Sequence, residues 1–304
     1  MSDGIITEVA ELIALKQYSH NSGIGSNSTH GIHGSRFLSK LRGRGMEFAE
    51  VRNYQAGHEI RHMEWRITAR TGRPHIKVYH EERDRPVVIM NDFNPSMYFG
   101  TKIAFKSVIA ARVAALIAWA AVRQGDKVGG LLAAFDKHNE FMPKAREHAI
   151  LPWLAKLSSY TKAIPSAGQR NYRQLSDTLQ RLRRVTHPGS ILILISDFYA
   201  LDAASEQYLS RLRAHNDMIV YHICDPTELA PPVPGCYAIT NGAQSMVLDV
   251  RQSVVHDAYL QFCNEHQQTT RLLCKKLQIP YIQVTGNHDL PKLVYQTFLR
   301  RMHA

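Results

Sequence analysis

The chain has 304 residues, 44% of them hydrophobic and 21% charged, with a formal charge of +11 when its 16 histidines are neutral. This describes a soluble globular protein of one large domain or two ordinary ones, whose positive balance invites a polyanion or an acidic protein partner. No membrane span is expected: the most apolar stretch, Val108 to Val122, is short for a bilayer and carries Arg112, so it reads as a buried helix.

In chain order, residues 4 to 17 place Ile5, Ile6, Val9, Leu12, Ile13 and Leu15 close to a 3.6 period, which predicts a short amphipathic helix. The Ser-, Gly- and Asn-rich stretch from Ser19 to Ser35 reads as a mobile loop, and its His20, His30 and His33 are scattered. Ser2-Asp3-Gly4 is not expected to begin a signal peptide, because neither a basic n-region nor an apolar h-region follows. After Gly57, Met63, Trp65, Ile67 and Ala69 alternate with polar residues, predicting a strand with one wet face. Ile76, Val78 and Tyr79 predict another, so a small β-rich layer with an Arg-studded face is expected.

Arg85 to Met97 then carries an unbroken apolar run, Val87 to Met90, behind a proline. Such a run reads as a strand buried on both faces. Beyond it the pattern alternates. Helices are predicted over 103–123, 147–157, 172–185, 203–215 and 254–277, with a last one from Pro291; strands are predicted over 128–135, 191–195, 218–224 and 281–284. A hairpin is expected over 237–240 and 246–250. Strands alternating with helices predict an α/β fold with a parallel, doubly wound sheet. The chain divides into an N-terminal helix and loop (1–35), a β-rich region (36–84) and an α/β domain (85–304).

Three oxygen-bearing side chains, Asp92, Asn94 and Ser96, alternate at the end of the first central strand. The carboxyl edge of an open α/β sheet is where ligands bind, and one carboxylate among neutral oxygens suits a hard cation such as Mg2+. The same residues also suit caps of the next helix. Asp197 ends the second apolar strand, so two carboxylates meet above one edge and need a cation or proton between them. His58-Glu59-Ile60-Arg61-His62 matches the HExxH pattern of zinc peptidases, but His62 opens an alternating strand pattern where a helix is required. Gly286-Asn287-His288-Asp289 resembles a metallophosphoesterase fragment without its companion elements, and Asn287 and Asp289 suit a strand end and a helix cap. The four cysteines form no CxxC pair, which fits reduced thiols in a cytoplasmic protein.

One longer constellation is specific. Gly43-x-Gly45-x-Glu47-Phe48, Arg52-x-Tyr54-x-x-Gly57, Arg61-x-x-x-Trp65 and Ala69-Arg70, followed by the aspartate-tipped strand, resembles the bacterial domain-of-unknown-function family 58 over about residues 36 to 304. The departures are His58 after Gly57, Glu64 before Trp65, and Asn94 in the metal motif. The resemblance implies a von Willebrand A-like domain behind a β-rich extension. It also implies a metal-ion-dependent adhesion-like site at Asp92, Asn94, Ser96 and Asp197 holding Mg2+, with Thr161 or Ser166 as threonine ligand. Gly45, Glu47, Arg52, Tyr54, Gly57, Arg61, Trp65 and Arg70 would be family-signature or partner-binding residues.

The function so implied is a non-enzymatic, chaperone-like adaptor. It would dock a MoxR-type AAA+ ATPase in the assembly or maturation of other complexes, and chelation would weaken that docking. No small-molecule substrate is expected. A nucleic-acid-binding protein using the basic 36–85 region is the alternative, and a metal-dependent hydrolase the second.

Overall fold

A computed structural model of the protein describes residues 4–19, 46–54, 63–81, 85–165, 173–240 and 244–299. They group into two compact units, Thr29–Asp84 and a larger one made of residues 85–302 with the N-terminal segment. In chain order the elements begin with α1 (Val9–Ala14), continued by a 3-10 turn. Then come β1 (Met46–Asn53), α2 (Trp65–Thr71) and β2 (His75–Glu81). The larger unit follows with β3 (Val87–Phe93), α3 (Lys106–Arg123), β4 (Val128–Ala134), β5 (His138–Lys144), α4 (Leu151–Lys162), α5 (Leu175–Val185) and β6 (Ile191–Ser196). It closes with α6 (Ala203–His215), β7 (Asp217–Ile223), α7 (Pro226–Leu229), the hairpin β8 (Cys236–Thr240) and β9 (Ser245–Asp249), α8 (Ser253–Lys276), β10 (Tyr281–Val284) and α9 (Leu290–Val294).

In the smaller unit β1 and β2 pair antiparallel. The strand predicted from the alternation around Trp65 is instead the helix α2. Local caps override the period-two pattern: the Glu64 side chain accepts from Arg66 N, and Gly72 takes the left-handed conformation (φ 69°) that ends the helix. The loop from 20 to 35, HEIRH, Gly45, Gly57, Arg61 and Ser166 lie outside the described residues.

The larger unit is a mixed α/β fold around a six-stranded sheet ordered β10-β7-β6-β3-β4-β5. Neighbours pair parallel throughout except β4 with β5, which is antiparallel. The first strand of this sheet therefore lies at its middle, with later strands added on one side and then the other. That is a doubly wound, Rossmann-like order, with its switch point between β3 and β6. Of the six strands in this sheet, only β5 went unread in the sequence. Pro143 and a half-exposed pattern hide it, and both are tolerated because β5 is an edge strand.

The run from Val87 to Phe93 is buried on both faces, as its lack of polar breaks predicts. Val87, Ile89 and Phe93 pack with α3 and α4 on one side; Val88 and Met90 pack with α5, α6 and α8 on the other. Arg112, the charge inside the apolar helix α3, is reached by Glu11 of α1 (Nε to Oε1 2.6 Å). Glycines at positive φ reverse the chain where expected, Gly125 after α3 and Gly189 before β6.

Candidate functional site at the strand ends

The parallel topology brings the carboxyl ends of β3, β6 and β7 to one edge, and at the switch point a crevice between the diverging connections is expected. Here buried side chains fill it. Asp92 ends β3, and one of its oxygens, Oδ1, accepts from Asn94 N (2.9 Å), turning the chain into the short 3-10 segment Pro95–Met97. The other, Oδ2, accepts from the Ser196 hydroxyl (2.7 Å) at the end of β6. The two central strands are thus stitched at their tips.

Asn94 does not face the edge as a free ligand. Its amide nitrogen donates to Arg173 O (3.1 Å) and its oxygen accepts from Arg173 N (3.0 Å), a reciprocal pair that anchors the chain entering α5. The Ser96 hydroxyl is buried without a hydrogen-bond partner of ordinary geometry, although it lies near enough to Asp197 to favour that group's charge. Thr161 is elsewhere: it caps contacts within α4 and accepts from Thr7 N (3.2 Å). Its hydroxyl is thus engaged by Thr7 N and Ser158 O.

Asp197 is fully buried and paired. Lys106, the first residue of α3 and only 1% exposed, donates from Nζ to Asp197 Oδ2 (2.8 Å) and to Glu228 Oε1 of α7 (2.5 Å). Glu228 Oε2 in turn accepts from Asp225 N (2.8 Å), closing a capping box at the start of α7. Tyr199 covers the ammonium at 5.0 Å and stacks on His266 (3.9 Å, 8°), whose Nε2 lies 2.9 Å from Asp197 O. Phe198, between Asp197 and Tyr199, holds a left-handed φ of 58°. A bulky residue there stores strain of about 1–3 kcal/mol, as functional or tightly determined turns often do.

The electrostatics follow from burial and from one cation among three acids. Burial, and then the charge of Asp197, push Asp92 up to about 7. Burial alone would also raise Asp197, but the Lys106 ammonium outweighs it and holds this carboxyl below the ordinary range. Burial would lower Lys106, yet Asp197 and Glu228 carry it to about 12. Burial leaves Glu228 above the ordinary range in spite of the ammonium. His222, flanked by His266 and bonded through Nδ1 to Tyr281 Oη (2.6 Å), is driven by burial down to about 3 and stays neutral.

The predicted set thus divides. Asp92, Ser96 and Asp197 share one edge; Asn94 is engaged by backbone; and Lys106 already neutralises the second aspartate. Among the described residues no group of three or more His, Cys, Asp or Glu is arranged to hold a metal. As arranged, this donor set does not fit Mg2+, because one ligand oxygen is committed to Arg173 N and another to an ammonium. The GNHD segment is a cap: Asp289 accepts from Lys292 N (3.2 Å) and His288 Nδ1 from Thr285 N (2.9 Å).

Lys106 and Glu228 were missed in the sequence. Lys106 stands at the head of a largely apolar helix, where the positive end of the helix dipole repels an ammonium. That misfit was the available signal. Glu228 was legible as the last residue of an Asp-Pro-Thr-Glu capping box.

In the smaller unit Trp65 is 66% exposed, and Arg66 and Arg70 stand one turn apart on the exposed face of α2. Tyr54 is half-buried, while the side chains of Glu47 and Arg52 are not described. Among the described residues no helix is long and apolar enough to cross a membrane.

Over 219 residues, 71% of its length, the chain is 26% identical to an uncharacterized protein of Mycobacterium bovis and to one of Mycobacterium tuberculosis. That stretch is 66% of each relative, so the chain covers slightly less than two thirds of their length. The crystal structure of the conserved hypothetical protein BatB from Bacteroides thetaiotaomicron aligns with a TM-score of 0.45 at 14% identity, covering 72% of this chain and 98% of that one. A sequence model of the family described as protein of unknown function DUF58 matches residues 50–269, well over half the length, and the chain belongs to that family.

Proposed function

We propose that the protein is a non-enzymatic adaptor that docks an acidic protein surface through the face of α2. The observation that carries this reading is Trp65, a 66% exposed indole on the same short helix as the exposed Arg66 and Arg70. Leaving an indole in water forgoes its burial energy, and two like charges at i,i+4 repel on an isolated helix. Both deficits are relieved by a partner carboxylate gripped by guanidinium forks and an apolar groove for the ring. Trp and Arg are also the residues on which binding energy concentrates in protein interfaces.

The family resemblance names a MoxR-type AAA+ ATPase as the partner and assembly or maturation of other complexes as the role, and the unpaired cysteines suit a cytoplasmic setting. The non-catalytic part of the reading is supported by the strand ends, where the candidate acids are engaged in structural bonds. Pull-down of a purified MoxR-type ATPase from the same cell by the full chain tests it. Retention is expected, with loss in Trp65→Ala and in the Arg66→Glu, Arg70→Glu pair. Equal retention by the variants overturns the α2 assignment.

The same exposed indole and arginines favour nucleic acid as a second reading, since bases stack on such platforms. Binding of single-stranded RNA would then fall steeply with salt. A fluorescence-anisotropy titration that shows no binding at low salt removes it.

A further inference from the structure

The resemblance calls for a divalent cation between the strand-end acids, and the donor set does not fit one. We infer that Lys106 is the resident cation of this site, an ammonium that closes the switch point in place of a metal and makes the strand-end edge independent of divalent ions.

Three observations converge. First, one Nζ bonds carboxylates from two separate connections, Asp197 after β6 and Glu228 after β7, at 2.8 Å and 2.5 Å. Because Lys106 itself begins α3, the helix that follows β3, the ammonium joins the connections of three neighbouring strands. A divalent ion in such an edge performs the same task by gathering oxygens from several loops. Second, the ammonium is shut in: Lys106 is 1% exposed, and its open side is covered by the Tyr199 ring at 5.0 Å and the Phe99 ring at 6.0 Å. Aromatic faces suit a cation that has lost its water. Third, the position is costly for any other purpose. A buried ammonium at the head of a helix opposes the dipole and loses hydration, and only paired carboxylates offset both.

Ser96 Oγ, buried and unpartnered beside Asp197, completes the picture. The acids and the hydroxyl remain, and a covalently tethered charge stands among them. Occupancy then cannot be lost to chelation or dilution.

Thermal unfolding and isothermal calorimetry of the full chain test this. For the wild type, Tm is expected to stay the same in EDTA and in excess Mg2+ or Mn2+, with no heat of binding. Lys106→Met is expected to lower Tm by on the order of 10 °C, because buried Asp197 and half-buried Glu228 lose their counter-charge. Adding Asp197→Asn to Lys106→Met is expected to recover part of that loss. A wild-type Tm raised by Mg2+, with the rise absent in Asp197→Asn, overturns the inference. So does a Lys106→Met protein as stable as the wild type. Should Lys106→Met give no folded protein, the wild-type Mg2+ titration still decides the question.

Discussion

The strand-end edge of the large sheet and the exposed face of α2 both gather charged side chains, yet they use them in opposite ways. At the edge, Asp92, Asp197 and Lys106 are buried and Glu228 is half-buried, and each is bonded to a partner from another element. On α2, Trp65, Arg66 and Arg70 are open to solvent, and the caps of that helix come from backbone and from Glu64. The chemically suggestive residues are therefore bonded within the fold, while those on α2 stand open to solvent. In a low-dielectric interior a charge must be satisfied before the chain folds, whereas on a surface it can wait for a partner.

The sharpest way to break this contrast is at Lys106. Lys106→Met is expected to cost about 3–5 kcal/mol in urea unfolding, as removal of one partner from a buried ion pair does. Loss of less than about 1 kcal/mol, the ordinary worth of an exposed pair, would place the edge in the same class as a surface cluster. On the other side of the comparison, Trp65→Ala should change stability by no more than about 0.5 kcal/mol. Partner affinity should fall roughly 30-fold, the loss of a central hot spot. Biolayer interferometry with the purified ATPase reads this, and an unchanged dissociation constant would remove α2 from the interface.

A smaller effect separates the two aspartates of the edge. Asp92, raised to about 7 from an ordinary 3.8, favours the fold when protonated. Its contribution is complete below pH 3.8 and is lost as pH rises through about 7. Asp197 is lowered, so its contribution is present above pH 3.8 and is lost as pH falls below it. Urea midpoints from pH 4 to 8 should show the wild type losing stability relative to Asp92→Asn across the first window. A constant difference between the two would mean that Asp92 does not titrate there. Smallest of all, EDTA should leave both stability and ATPase docking unchanged, the reverse of what a metal-dependent site requires. A chelation-sensitive interaction would restore the metal reading.

The wound sheet was legible because its signals are local and periodic. Val87 to Met90 and Ile191 to Ile195 are apolar without a break, and only a strand covered on both faces tolerates that. The convergence of Asp92 and Asp197 followed from placing both at strand ends. What failed was local too. Around Trp65 a period-two pattern competed with a capping residue and a left-handed glycine, and the caps prevailed because they satisfy orphan backbone groups directly.

The sequence by itself determined the α/β class, the central strands, the family and the two acidic tips. Tertiary structure alone decided which groups those tips meet. Whether a carboxylate holds a metal, a proton or an ammonium depends on which group lies within about 3 Å of it, and Lys106 is separated along the chain from Asp197 by 91 residues and from Glu228 by 122. No pattern of composition or spacing encodes that meeting, because it is set by the order in which the strands pack.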